Sequence, residues 1–226
     1  MWSMWILAAF GAGPLGPSED GVTTLEAEDA EVDLPPCRES WPYDLEQLPY
    51  APDLWFRLNP RTAWGTTALV TTLESAANRM AMLYPDIDPL LIGDLSTSRG
   101  GPLPPHKYHF DGRSADVGLY GWTGDKADIY RHGNGFPPVA PRQLDLERTW
   151  TLIESLLETG NIEHILLDQT HIDNLKRWLL ETGRRTREEV ARTFPPNNTP
   201  RLWTWDSIVR PAVNHKEHLH VRVRCE

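Results

Sequence analysis

The chain has 226 residues, 40% of them hydrophobic, enough for one well-buried core and too few for two comfortable domains. Its 22 Lys and Arg against 32 Asp and Glu give a formal net charge of −10, but residues 1–36 hold seven acids and no base, so the remainder is nearly neutral. No basic stripe is available to neutralise successive phosphates, and nucleic acid is therefore not an expected partner.

Residues 2–16 are apolar and uncharged, as in the h-region of an export signal, although no Lys or Arg precedes them. The stretch is too short to span a bilayer comfortably, so no stable membrane insertion is expected. An export signal over 1–16 implies a periplasmic or secreted protein. Residues 17–36 mix Pro, Gly, Thr and acids without apolar periodicity and read as a solvated linker, leaving 37–226 as the folded domain. The two cysteines, Cys37 and Cys225, fit either one disulfide between the domain ends or two unrelated thiols. The density of Pro and aromatic residues over 41–60 predicts an irregular arm.

Periodicity begins after Gly65. Leu69, Leu73, Ala76, Met80 and Leu83 recur at steps of three and four, with Thr66 or Thr67 as the cap and Pro85 beyond the end, which predicts a core-facing helix. Strands are predicted over 90–95 and 116–122, separated by a Gly/Pro-rich loop. Leu146, Trp150, Ile153 and Leu157 predict a second helix. A strand over 162–167, a helix over 171–182 and strands over 201–205 and 218–225 follow. The sum is an α+β domain whose small, largely antiparallel sheet is flanked by helices. Ten Trp suit packing, or the faces of sugars and peptides.

The last strand carries the strongest pattern. Leu219, Val221 and Val223 alternate with His218, His220 and Arg222, so the two imidazoles share the face opposite the core. With His215 three positions earlier, they form a pH-sensitive patch, a surface coincidence or part of a metal site. A second polar cluster holds His106, His109 and Asp116. Gly112 permits a tight turn that returns Asp116 towards His109. One His from the final strand would complete a His₂Asp set, giving a zinc ion three protein ligands and leaving one position open, the pattern of a catalytic site; the alternatives are Asp116 as a cap at the strand edge and His109 satisfied in the core. Asp168 and His171, at a strand-to-helix junction, read as a helix cap and a surface His. Arg99, Arg222 and Arg224 are candidates for holding a substrate carboxylate, or are merely solvated.

Gly93-Asp94, Gly100-Gly101, His106-x-x-His109-x6-Asp116-Val117 and His215-x-x-His218-x-His220-Val221-Arg222-Val223-Arg224-Cys225 together resemble the penicillin-insensitive murein endopeptidases. That family lies in the superfamily of lysostaphin-type and D-Ala-D-Ala-cleaving zinc peptidases. The likeness covers residues 64–225. It implies a single catalytic Zn²⁺ on the sheet face, held by His109, Asp116 and His220. His218 is then the base or transition-state stabiliser, with His215 assisting and His106 supporting His109 or touching an extra ion. It also implies a Cys37–Cys225 bridge and, as partner, the stem peptides of peptidoglycan, cut at the D-alanyl to meso-diaminopimelate cross-link. A D,D- or L,D-carboxypeptidase and a non-catalytic zinc-containing wall-binding module are the alternatives. The family's Asp-Val-Asp is Asp116-Val117-Gly118 here, no Asp-x-x-His follows closely, and residues 124–141 match nothing in the pattern.

Overall fold

The computed structural model describes residues 44–121, 135–196 and 207–225. The expected export signal, linker and Cys37, and the strand expected over 201–205, lie outside these residues. Cys225 is disulfide-bonded.

In chain order the described elements are β1 (Glu46–Gln47), β2 (Trp55–Arg57), β3 (Trp64–Gly65), α1 (Thr67–Leu83), β4 (Leu90–Ile92), β5 (Ser114–Gly118), α2 (Leu146–Leu157), β6 (Ile162–Leu167), α3 (Gln169–Glu181), α4 (Arg187–Thr193), β7 (Val209–Pro211) and β8 (His218–Val223). Six strands form one sheet in the order β2-β4-β5-β8-β6-β7, and β1 pairs with β3 apart from it. The fold is α+β, as expected. The sheet is mixed: its three central pairings are antiparallel, and the outermost pairs, β2 with β4 and β6 with β7, are parallel.

Side-chain alternation explains the layering. Ala115 and Val117 of β5, Leu219, Val221 and Val223 of β8 and Ile165 and Leu167 of β6 join one hydrophobic cluster with Leu69, Leu73, Ala76 and Met80 of α1, Leu152, Ile153 and Leu156 of α2 and Ile172, Leu175 and Leu179 of α3. Each such Leu or Ile contributes about 1.5–3 kcal/mol of transfer free energy. The helices start where the sequence provides caps. The Thr66 hydroxyl accepts from Leu69 N–H, the Asp145 carboxylate from Arg148 N–H and the Asp168 carboxylate from Thr170 N–H, each satisfying a donor that a helix start leaves open.

Several elements depart from the expectation. The 41–60 arm contains β1 and β2, and β7 and α4 were not anticipated. Both β2 and β7 are three-residue edge strands, too short to show a period, and they exist because a neighbouring strand pairs with them. The predicted 116–122 strand begins two residues earlier and ends at Gly118.

Candidate metal centre

The face of the sheet opposite the hydrophobic cluster carries the polar residues. Register across β5 and β8 sets Asp116 directly opposite His220, Gly118 opposite His218 and Ser114 opposite Arg222. His109 reaches the same place from the loop before β5. That loop turns at Gly112, whose φ of 71° is costly for a side-chain-bearing residue and whose carbonyl accepts from Thr66 N–H.

Three donor atoms converge. His220 Nδ1 lies 3.0 Å from Asp116 Oδ1, His109 Nε2 lies 3.2 Å from the same oxygen, and the two imidazole nitrogens are 3.2 Å apart. His109 Nδ1 is 2.8 Å from the Leu95 carbonyl oxygen, which can only accept. Nδ1 therefore carries a proton, and a metal-binding imidazole in this setting would present its Nε2 lone pair beside the carboxylate oxygen. Two lone pairs at this distance repel unless a cation lies between them. Ligand atoms around a tetrahedral ion with bonds of about 2.0 Å are about 3.3 Å apart, close to the spacing seen. The Leu95 carbonyl is also the usual kind of outer partner that fixes a metal-binding imidazole.

His106 extends the group. Its ligand atoms, with those of His109 and Asp116, all lie within 4.8 Å of one another, so this buried His-His-Asp group can hold a metal ion. His106 Nε2 is 3.2 Å from Asp94 Oδ2, and Nδ1 is 3.7 Å from Asp116 Oδ2. Asp94 in turn accepts from the Thr62 hydroxyl. The bond to Asp94 raises the His106 pKa, against the opposing effect of burial.

Burial dominates the remaining titration. It pushes Asp116 upwards, but the imidazoles of His109 and His220 outweigh it and hold the carboxyl well below the usual range. Burial lowers His220 to about 3 and His218 to about 4, in both cases against the pull of Asp116. At neutral pH these rings are uncharged, the form in which imidazole binds metals or accepts a proton.

His218 is placed beside the group rather than in it, its Nε2 3.7 Å from Asp116 Oδ1. The His215 ring centroid is 5.0 Å from that of His218. The segment carrying His215 is tied to α3, since the His215 carbonyl accepts from Asp168 N–H and the Lys216 carbonyl is bonded by His171 Nε2. Asp168 is thus the expected cap, but His171 is fully buried instead of lying on the surface: its imidazole fastens the approach to β8.

Arg222 also differs from expectation. Far from being free for a substrate, it is 1% exposed and bound by both its terminal nitrogens to Asp111, with further bonds to the Tyr108 carbonyl and the Ser114 hydroxyl. Arg113 adds a bond to Asp111 and reaches Glu163 Oε2 and Cys225 Sγ. Arg224 donates to the Ile162 carbonyl, and Arg99 remains exposed.

Two neighbours were missed by sequence reasoning. His164 on β6 is opposite Arg222, and its buried ring centroid is 6.5 Å from that of His220. The signal available was the polar pair Glu163-His164 inside an otherwise apolar strand. Phe136 stacks on His218 with centroids 4.9 Å apart and an interplanar angle of 20°. No pattern in the sequence pointed to it.

No protein-family model and no curated protein matches the chain.

Proposed function

We propose that the protein is a zinc-dependent murein endopeptidase that hydrolyses the D-alanyl to meso-diaminopimelate cross-links of peptidoglycan. The observation that carries this reading is the convergence of His109 Nε2, Asp116 Oδ1 and His220 Nδ1 at 3.0–3.2 Å, with His109 Nδ1 held by the Leu95 carbonyl. The substrate class rests on the motif resemblance, and the three-ligand set, which leaves a position open, favours catalysis over a closed structural site.

His109, Asp116 and His220 would hold the ion, which supplies a Lewis acid for the scissile carbonyl and activates water. The Leu95 carbonyl keeps the His109 tautomer that presents Nε2. His218, uncharged and alongside Asp116, takes a proton during attack and returns one to the leaving amine, while its ring stabilises charge developing on the carbonyl oxygen. His215 flanks His218 and assists it. No serine is acylated in this scheme, so a β-lactam has no nucleophile to trap.

Muropeptide profiles of purified sacculi test the reading, with wild-type zinc-loaded protein, a chelated sample and His218→Ala side by side. Loss of cross-linked dimers with the wild type alone, undiminished by benzylpenicillin, is the expected result. Trimming of terminal D-alanine without loss of dimers would replace it with a carboxypeptidase. Binding to sacculi with no released product would replace it with a wall-binding module.

A further inference from the structure

Gly118 stands opposite His218 across the β5–β8 ladder, so the imidazole has no side chain beside it from its own strand pair. The ring of Phe136 fills the gap. A Cβ added at Gly93 would fall 2.7 Å from Phe136 Cζ, and one added at Gly118 would fall 3.2 Å from Phe136 Cδ1. Both glycines therefore leave a shallow slot on the site face, and the ring lies against it. Its contact with His218 is a stack, with centroids 4.9 Å apart and planes within 20°.

We propose that Phe136 is a positioning residue that sets the ring plane of His218 beside the His109–Asp116–His220 group. Among the described residues, the polar approach of His218 to that group is the long one of Nε2 to Asp116, which is too weak to fix a rotamer. An imidazole is free to turn about its two side-chain torsions unless packing selects one setting. A flat aromatic face, itself wedged against two glycines, makes that selection, and an aliphatic side chain of similar volume cannot. Asp116 does not depend on the ring in the same way, because its close contacts are with His109 and His220. Phe136 is therefore needed for the geometry of His218 and not for metal retention.

The inference about catalysis rests on the endopeptidase reading, whereas the placement of His218 does not. Full-length zinc-loaded protein is compared with Phe136→Leu and Phe136→Tyr by metal content, by the imidazole proton and nitrogen resonances of His218, and by steady-state cleavage of a cross-linked muropeptide dimer. In the wild type the stacked ring shifts the His218 protons upfield. Phe136→Leu is expected to keep its zinc, lose that upfield shift and lose about 10- to 100-fold in kcat. KM is expected to stay within about twofold, as for an interaction made in the transition state. Phe136→Tyr restores both shift and rate. Unchanged His218 resonances in Phe136→Leu, an unchanged kcat, or loss of zinc in step with loss of rate would each overturn the proposal. If the wild type cleaves no dimer, the endopeptidase reading falls. The resonances then decide alone: a lost upfield shift supports the positioning role, and an unchanged one ends it.

Discussion

Arg222 grips Asp111 through two parallel bonds, Nη1 to Oδ1 at 3.1 Å and Nη2 to Oδ2 at 2.5 Å, with both side chains buried. The pair fastens the loop that carries His106 and His109 to the strand that carries His218 and His220. The clamp thereby fixes the loop bearing His109 relative to the strand bearing His220.

Removing one partner leaves the other charged and buried. Arg222→Ala or Asp111→Ala is expected to cost about 3–5 kcal/mol. The double variant Asp111→Leu with Arg222→Met is expected to be more stable than either single alanine variant, since no lone charge remains. Urea midpoints of the three proteins check this, and equal instability in all three would contradict it.

Metal affinity separates the residues of the site. On the proposed ligand set, alanine at His109, Asp116 or His220 should lower zinc affinity by more than the roughly 10- to 100-fold typical of an outer partner. Alanine at His215, whose Nδ1 lies 2.5 Å from the Val213 carbonyl, should leave zinc content unchanged. Elemental analysis after dialysis reads both. At a free zinc concentration of about 100 times Kd, the wild type should gain about 2.7 kcal/mol of stability over the chelated form.

The metal-free protein should weaken in mildly acidic solution. His218 and His220 titrate lower when folded, at about 4 and about 3, than the roughly 6.5 of an unfolded imidazole. The unfolded chain therefore binds more protons in that interval, and stability falls as pH drops from about 6.5 towards those values. Asp111 and Glu163 act next. Burial raises each, but bonds from Arg222 to Asp111 and from His164 to Glu163 prevail and hold both below their unfolded pKa values. Their stabilisation is complete above about pH 4 and disappears as pH falls through the folded values. His106, raised by Asp94, works in the opposite sense and loses its contribution as pH rises beyond about 6.5. A series of chelated samples should thus show a thermal midpoint that peaks near pH 6.5; a midpoint flat between pH 4 and 6.5 would contradict the burial of neutral imidazoles.

The central strands, the long helices and the convergence of His109, Asp116 and His220 were readable because periodicity is strong where one face is buried. β8 alternates along its whole length, and α1 repeats apolar residues through four turns. His109, Asp116 and His220 could be nominated because Gly112 and the alternation of β8 dictate where their side chains go. What failed was whatever depends on a neighbour. β2 and β7 are created by pairing, and α4 is a charged seven-residue helix whose readable signal was the Thr186–Glu189 capping box. His171 and Arg222 look like surface residues in isolation. Only the packed structure reveals that the Lys216 carbonyl and the Asp111 carboxylate make their burial affordable. Phe136 is legible only once Gly93 and Gly118 are seen beneath it.

The place of β8 between β5 and β6 bears on how the protein comes to be folded. Both neighbours precede it in the chain, and His220 is 104 residues from its partner Asp116. Until β8 has been synthesised and inserted, the two halves of the sheet have no strand to join them, and His220 is not yet beside His109 and Asp116. Such long-range closure is slow because the entropy of a large loop is lost before the contacts form. A nascent or partly threaded chain therefore carries His109 and Asp116 without His220 beside them, and the cluster is assembled only after the last strand is in place.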